Sequence, residues 1–123
     1  MNIVPKNANP HISSGRWDAY KGYTLLSPVE GRRVDLIDMK GVPVQTWEIP
    51  FVLGSHAELL PNGNLLCAAK APEGPLVDFE GVTGRLVEMD WDGNVVWEYE
   101  DLYMHHNFYR MANGDTIVLS QVC

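Results

Sequence analysis

Cysteine is nearly absent from this chain of 123 residues: Cys67 and Cys123 are the only two, and no CxxC spacing exists. Neither a disulfide-stapled scaffold nor a thiolate metal site has the residues it needs. No apolar run approaches the ~18 residues of a membrane-spanning helix, so no membrane partner is expected. Basic clusters are missing too. None exceeds Arg32-Arg33 and the formal net charge is −7, which argues against nucleic acid as a partner. The opening residues MNIVPKNANPHISSGRW lack the apolar core and basic head of a secretory signal. A cytoplasmic location is therefore expected, or a periplasmic one if a leader has been removed. Helical periodicity is also missing, and the 11 glycines and 8 prolines interrupt every candidate stretch.

What the chain has instead is punctuation. Lys40-Gly41, Asn62-Gly63, Asp92-Gly93 and Asn113-Gly114 mark four turns. Asn-Gly and Asp-Gly favour two-residue hairpin loops with both central residues at positive φ. Gly41 and Gly93 lie 52 residues apart, Gly63 and Gly114 51, and content repeats with spacing. VDLIDMKGVPVQTWEI (34–49) matches LVEMDWDGNVVWEY (86–99). Asp38 pairs with Asp90, Gly41 with Gly93 and Trp47 with Trp97, the first copy being two residues longer. His56-to-Gly63 matches Asn107-to-Gly114, which puts His106 one position before the station of His56. The chain reads as an N-terminal arm (1–21) and two repeats, about 22–70 and 71–123.

Each repeat reads as short strands, over 23–27, 33–39, 43–49, 55–60 and 64–69, then 85–91, 94–99, 104–111 and 116–121. Period-two alternation is clear in Val34-Asp35-Leu36-Ile37-Asp38 and Val87-Glu88-Met89-Asp90-Trp91, as half-buried strands require. The fold class is all-β. About four strands per repeat at a period near 50 residues fit β-propeller blades; a β-sandwich is the alternative. Two blades alone would leave long unpaired edges. The expectation is thus part of a larger ring, completed by other chain segments, further copies or another chain.

Imidazole suits nucleophilic, acid–base or metal chemistry near neutral pH, so His56, His105 and His106 are the candidate catalytic residues. Alternation sends His105 and His106 to opposite faces, so only one reaches a common site unless a bulge redirects the other. His106 is favoured, being beside the His56 station. A hydrogen-bonded structural role stays open for His56, and His11 in the arm is incidental. Arg110, four residues after His106, shares its face only without an intervening bulge; otherwise it is a surface arginine. Tyr109, Tyr103 and Phe108 flank the histidines as lining for an aromatic substrate or as packing. Trp47 and Trp97 read as equivalent packing residues, with Trp91 more exposed. Asp38, Asp90 and Asp92 suit local backbone donors better than calcium. Cys67 and Cys123, at matching ends of the repeats, read as free buried thiols.

The segments GYTLLSPVEGRRVDLIDMKGVPVQTWEI (22–49), HAELLPNGNLL (56–66), GRLVEMDWDGNVVWEYE (84–100) and HHNFYRMANGDTIVL (105–119) resemble the arylsulfotransferase-like β-propeller family. The likeness spans about residues 22–121, through the family patterns "liD..G..v..W" and "HHd...l.NGntl.l" in this order. The resemblance implies a six-bladed propeller with a histidine-lined channel. It implies sulfuryl transfer between phenols through a transient sulfohistidine, with no nucleotide cofactor. His105 and His106 stand at the paired histidines of that motif. Asn107 replaces its aspartate, Met111 its leucine and Asp115 its asparagine. Losing that carboxylate removes an orienting partner that would raise imidazole basicity. The family's nucleophilic histidine and its arginine belong to later blades, so this chain is expected to supply supporting groups, with Arg110 and Tyr109 as candidates for substrate binding.

Three functions follow. One is an arylsulfotransferase-like enzyme acting on a small aromatic substrate without a cofactor. The second is a propeller enzyme that holds a divalent metal on its histidines, since clustered neutral imidazoles suit zinc, copper or iron. The third is a non-catalytic propeller that binds a partner.

Overall fold

A computed structural model describes residues 21–121; most of the arm with His11, and Cys123, lie outside these described residues. They form nine strands: β1 (Thr24–Leu26), β2 (Arg33–Ile37), β3 (Pro43–Glu48), β4 (Leu53–Leu59), β5 (Leu65–Lys70), β6 (Gly84–Met89), β7 (Val95–Glu100), β8 (Met104–Arg110) and β9 (Thr116–Ser120). All pairings are antiparallel. They make three sheets, β1-β2-β3, β4-β5-β6-β7 and β8-β9, none of them closed. The protein is all-β, with every expected strand present to within a few residues. The four-stranded sheet takes β4 and β5 from the first sequence repeat and β6 and β7 from the second.

The core explains the stacking. Val34, Trp47, Leu53, Leu65, Cys67, Val87 and Met89 form one apolar cluster between the three-stranded and four-stranded sheets. Leu66, Ala68, Leu86, Met104 and Phe108 form a second between the four-stranded and two-stranded sheets. β5 alternates between the two clusters, which is why LLCAA carries no polar residue. Burial pushes the Cys67 thiol up to about 12, so it stays protonated and unreactive.

The four glycine turns are all hairpins, of a different type from the one expected. Each is closed by a backbone bond across three residues, in which Asp38, Leu60, Asp90 and Met111 donate N–H to the carbonyls of Val42, Asn64, Asn94 and Asp115. Gly41, Gly63, Gly93 and Gly114 each donate a backbone N–H to the carbonyl three residues earlier. Each glycine has positive φ, whereas Lys40, Asn62, Asp92 and Asn113 do not. These are three-residue loops, a type I turn followed by a left-handed glycine. The reason lies in the acidic and amide side chains. The Asp38 carboxylate accepts from the backbone N–H of Lys40 and Val42, and that of Asp90 from Asp92 and Asn94. Asn62 and Asn113 each accept one such bond.

Pairing register corrects the repeat alignment. Arg33 to Glu48 and Arg85 to Glu100 have the same ladder without a gap, each shifting register at one point, between Leu36 and Ile37 or between Glu88 and Met89. Trp47 therefore corresponds to Tyr99, and Trp97 to Gln45; the two tryptophans are not equivalent. Trp47 is 1% exposed. Its indole N–H donates to the Asp90 carbonyl at 2.9 Å, and Trp91 meets it edge-on, centroids 5.5 Å apart. Gln45 donates to the Trp91 carbonyl beside it. The β6–β7 hairpin tip thus caps β3, while Tyr99 and Trp97 on β7 are 41% and 38% exposed.

Trp47→Ala should cost about 3–5 kcal/mol and Trp97→Ala about 1 kcal/mol or less, measured by urea unfolding; equal losses would contradict the register. The Asn94 side chain and then its backbone N–H hold the Asp90 carboxyl below its ordinary 3.8. Its contribution is therefore complete above about pH 4 and lost as pH falls through the depressed value. The stability gap between the wild type and Asp90→Ala should shrink in acid, as read from unfolding midpoints across pH.

Candidate functional site

The histidines sit on two matching irregularities. In β4, Gly54, Ser55 and His56 lie between the pairs Leu53/Ala69 and Ala57/Cys67, three residues opposite one. In β8, His105, His106 and Asn107 lie between Met104/Ser120 and Phe108/Val118 in the same way. Such a bulge interrupts the ladder and re-aims side chains. Gly54 thus matches His105, Ser55 matches His106 and His56 matches Asn107.

Simple alternation would separate His105 from His106, and the bulge overrides it. His106 takes φ +58°, an uncommon conformation for a residue with a Cβ, and its ring turns back on its neighbour. The two Nδ1 atoms are 3.1 Å apart, with the rings nearly perpendicular at 85°. One Nδ1 must donate a proton and the other must accept it. The accepting ring is then held with its proton on Nε2, the tautomer and orientation fixed together. Asn107 is not an orienting partner of either ring: its side-chain oxygen accepts from the Phe108 N–H. His105 and His106 orient each other instead.

The connection between β5 and β6 (71–83) holds the pair in place. Gly81 accepts the His106 backbone N–H at 2.7 Å, and Thr83 donates to the Met104 carbonyl. Val82 bridges to His105. Gly81 has φ +79°, and a Cβ there would overlap the His106 ring, so glycine is required twice over. The same connection touches the first bulge, where a Cβ on Gly54 would press on Thr83. A cleft of about 230 Å³ opens beside the imidazole pair, walled by Leu76, Phe79, Glu80 and Val82.

His56 takes a separate place. Its ring stacks on Phe108, with centroids 4.3 Å apart and planes 2° from parallel. Its Nδ1 lies 3.4 Å from the Ser55 hydroxyl and its Nε2 3.7 Å from the Glu58 carboxylate. It borders the β8 bulge without lining the cleft. Arg110 lies at the hairpin end of β8, beyond the bulge. Its guanidinium meets the Glu88 carboxylate at 3.0 Å, donates to the Thr116 hydroxyl at 2.8 Å and lies over Trp97. Asn64 completes the Glu88 contacts. Leu36 and Leu59 occupy the matching stations of the first repeat, so this ion pair replaces apolar residues. Tyr109 projects to the exposed side of β8, whereas Phe108 is core. The structure thus brings His105 and His106 together, sets His56 apart against Phe108 and commits Arg110 elsewhere. No group of three or more His, Cys, Asp or Glu poised for a metal occurs among the described residues.

Sequence reasoning missed Gly81, Phe79 and Glu80. A signal existed: β5 and β6 are joined by 13 residues, 71–83, where β1 and β2 are joined by six, 27–32. Such a lengthened connection often carries a site. No protein-family model, curated protein or solved structure matches this chain.

Arg110→Ala should destabilise by about 2–3 kcal/mol, somewhat under a fully buried pair because both partners keep some solvent contact. Glu88→Leu with Arg110→Leu should recover most of that in denaturant unfolding. If the double variant is no better than Arg110→Ala, the ion pair is not the cause.

Proposed function

We propose that this chain forms part of an arylsulfotransferase-like β-propeller in which His105 and His106 work as the acid–base pair of a channel pocket. The observation that carries the reading is the Nδ1–Nδ1 contact of 3.1 Å, on a bulge that recurs at the His56 station. A meander of four antiparallel strands suits one propeller blade, and β1–β3 and β8–β9 suit parts of its neighbours. The rest of the ring comes from further copies of the same repeat, in another stretch of chain or in another molecule. The cap of Asp90 and Trp91 on Trp47 supports this, because Tyr99 at the matching station is open for a similar hairpin.

The pair has the chemistry for proton transfer. A ring that donates its Nδ1–H in a hydrogen bond to its neighbour keeps a bare Nε2, which can take the proton of a phenol as the phenol oxygen attacks sulfur. The S–N bond to the sulfohistidine then breaks and the electron pair returns to that imidazole. In the first half-reaction the flow reverses: the nucleophilic imidazole forms the S–N bond as the aryl S–O bond breaks, and the departing phenolate takes a proton from the pair in its imidazolium form. The sulfohistidine and the cation on the sulfate oxygens come from other parts of the ring, since Arg110 is engaged with Glu88. His56 is the supporting imidazole, stacked on the Phe108 that follows the bulge.

An aryl sulfate and a phenol, incubated with the purified protein in its native assembly, should show acceptor-dependent release of the donor phenol. His106→Ala should lower the rate about 10²–10⁴-fold, the usual share of a general acid–base group. No turnover by the wild type, or full activity in the variant, defeats this reading. Stoichiometric zinc, copper or iron in the purified protein would favour the metal enzyme instead.

A further inference from the structure

The cleft beside the imidazole pair has a charge as well as a shape. Leu76, Phe79 and Val82 give it apolar walls, and Glu80 lies in the same lining as His105 and His106. Phe79, Glu80 and Gly81 also line the neighbouring cleft of about 410 Å³, together with Glu30, Lys70 and Asp78. Lys70 is paired with Glu30. Among the described residues, neither Glu80 nor Asp78 takes part in an ion pair. Among the described residues the 71–83 connection therefore brings carboxylates without ion-pair partners to the edge of the imidazole pair, in a chain that carries −7. Phe79 adds a second feature: the residue is 65% exposed, and an accessible aromatic ring is the kind of surface on which an organic cation rests.

We propose that this cleft binds a small cationic aromatic ligand, one ring bearing a hydroxyl and an ammonium group, and that Glu80 selects for the cation. A volume of about 230 Å³ admits a single substituted ring; a void of about 150 Å³ is enough for benzene. The ring lies between Leu76 and Val82. Its hydroxyl reaches the imidazole pair, and its ammonium group sits by Glu80 on the Phe79 face. A negatively charged substituent placed in this cleft meets Glu80, with no arginine in the lining, so the cleft takes the phenol ring and the sulfate lies outside it. The inference rests on the imidazole pocket proposed above, and its test does not depend on sulfuryl transfer.

The test uses the full chain and three probes of similar size: 4-(2-aminoethyl)phenol, 4-ethylphenol and 3-(4-hydroxyphenyl)propanoate. Binding is followed by the shift of the histidine ring resonances in NMR titrations. The ammonium phenol should bind about five- to tenfold more tightly than the neutral one, from one partly exposed charge contact and one cation–π contact. The carboxylate should be weakest, and the differences should narrow at high salt. Glu80→Gln, a change on an exposed loop, should bring the ammonium and neutral phenols to within about twofold. Equal binding of all three probes, no binding of any, or a preference that survives Glu80→Gln would overturn the proposal. Selective binding without sulfuryl transfer would uphold this inference and remove the reaction. Sulfuryl transfer without charge preference would do the reverse.

Discussion

Strand β5 runs between two apolar layers, with Leu65, Cys67 and Ala69 turned to one and Leu66 and Ala68 to the other. A strand buried on both faces tolerates no slip in register, because a one-residue shift would exchange its two sets of side chains between different packing environments. Everything else is laid against it. β4 and β6 pair along its edges, the three-stranded sheet covers one face and β8 the other. The bulges lie on β4 and β8, each against a buried core, so the imidazoles are carried by paired strands rather than by a free loop. A bulge is also the one way to bring adjacent residues of a strand to a single point, and it costs two units of regular pairing.

The two repeats share a backbone plan and differ in chemistry. Hairpins, register shifts and bulges recur station by station, while the side chains diverge. Gly54-Ser55-His56 stands where His105-His106-Asn107 stands, and Leu36 and Leu59 where Glu88 and Arg110 stand. Duplicated geometry is thus the constant, and the site arises where one copy has placed two imidazoles on a shape that holds a single one in the other. The adjacent rings orient each other through their Nδ1 contact.

Much of the fold was legible in the chain because its signals are local. Alternation in Val34–Asp38 and Val87–Asp90 located strands, and the four glycines located the hairpins. Loop type was not legible: Asn62 and Asn113 before glycine suggest positive φ, but their side chains accept from the backbone N–H two residues on and the residues keep an ordinary φ. The matching of Trp47 with Trp97 followed residue identity, whereas hydrogen-bond register follows backbone position and put Tyr99 there. The histidine pair was located, with the bulge named as the condition for the rings to meet. Its occurrence depends on Gly81 and Val82, distant in sequence, which local patterns do not contain. Arg110 was judged by its nearness to His106 along the chain; its partner Glu88 is on another sheet.

The mismatch between the unit of sequence and the unit of hydrogen bonding has a mechanical meaning. Each repeat gives its first half to one sheet and its second half to the next, so the boundary near residue 70 falls inside the β4–β7 sheet, between β5 and β6. Consecutive repeats are stitched rather than stacked. Pulling one away must tear a ladder of backbone bonds, not merely peel one greasy surface from another. An array grown by such copying gains tensile continuity with every added member, and no member can leave without unravelling its neighbour.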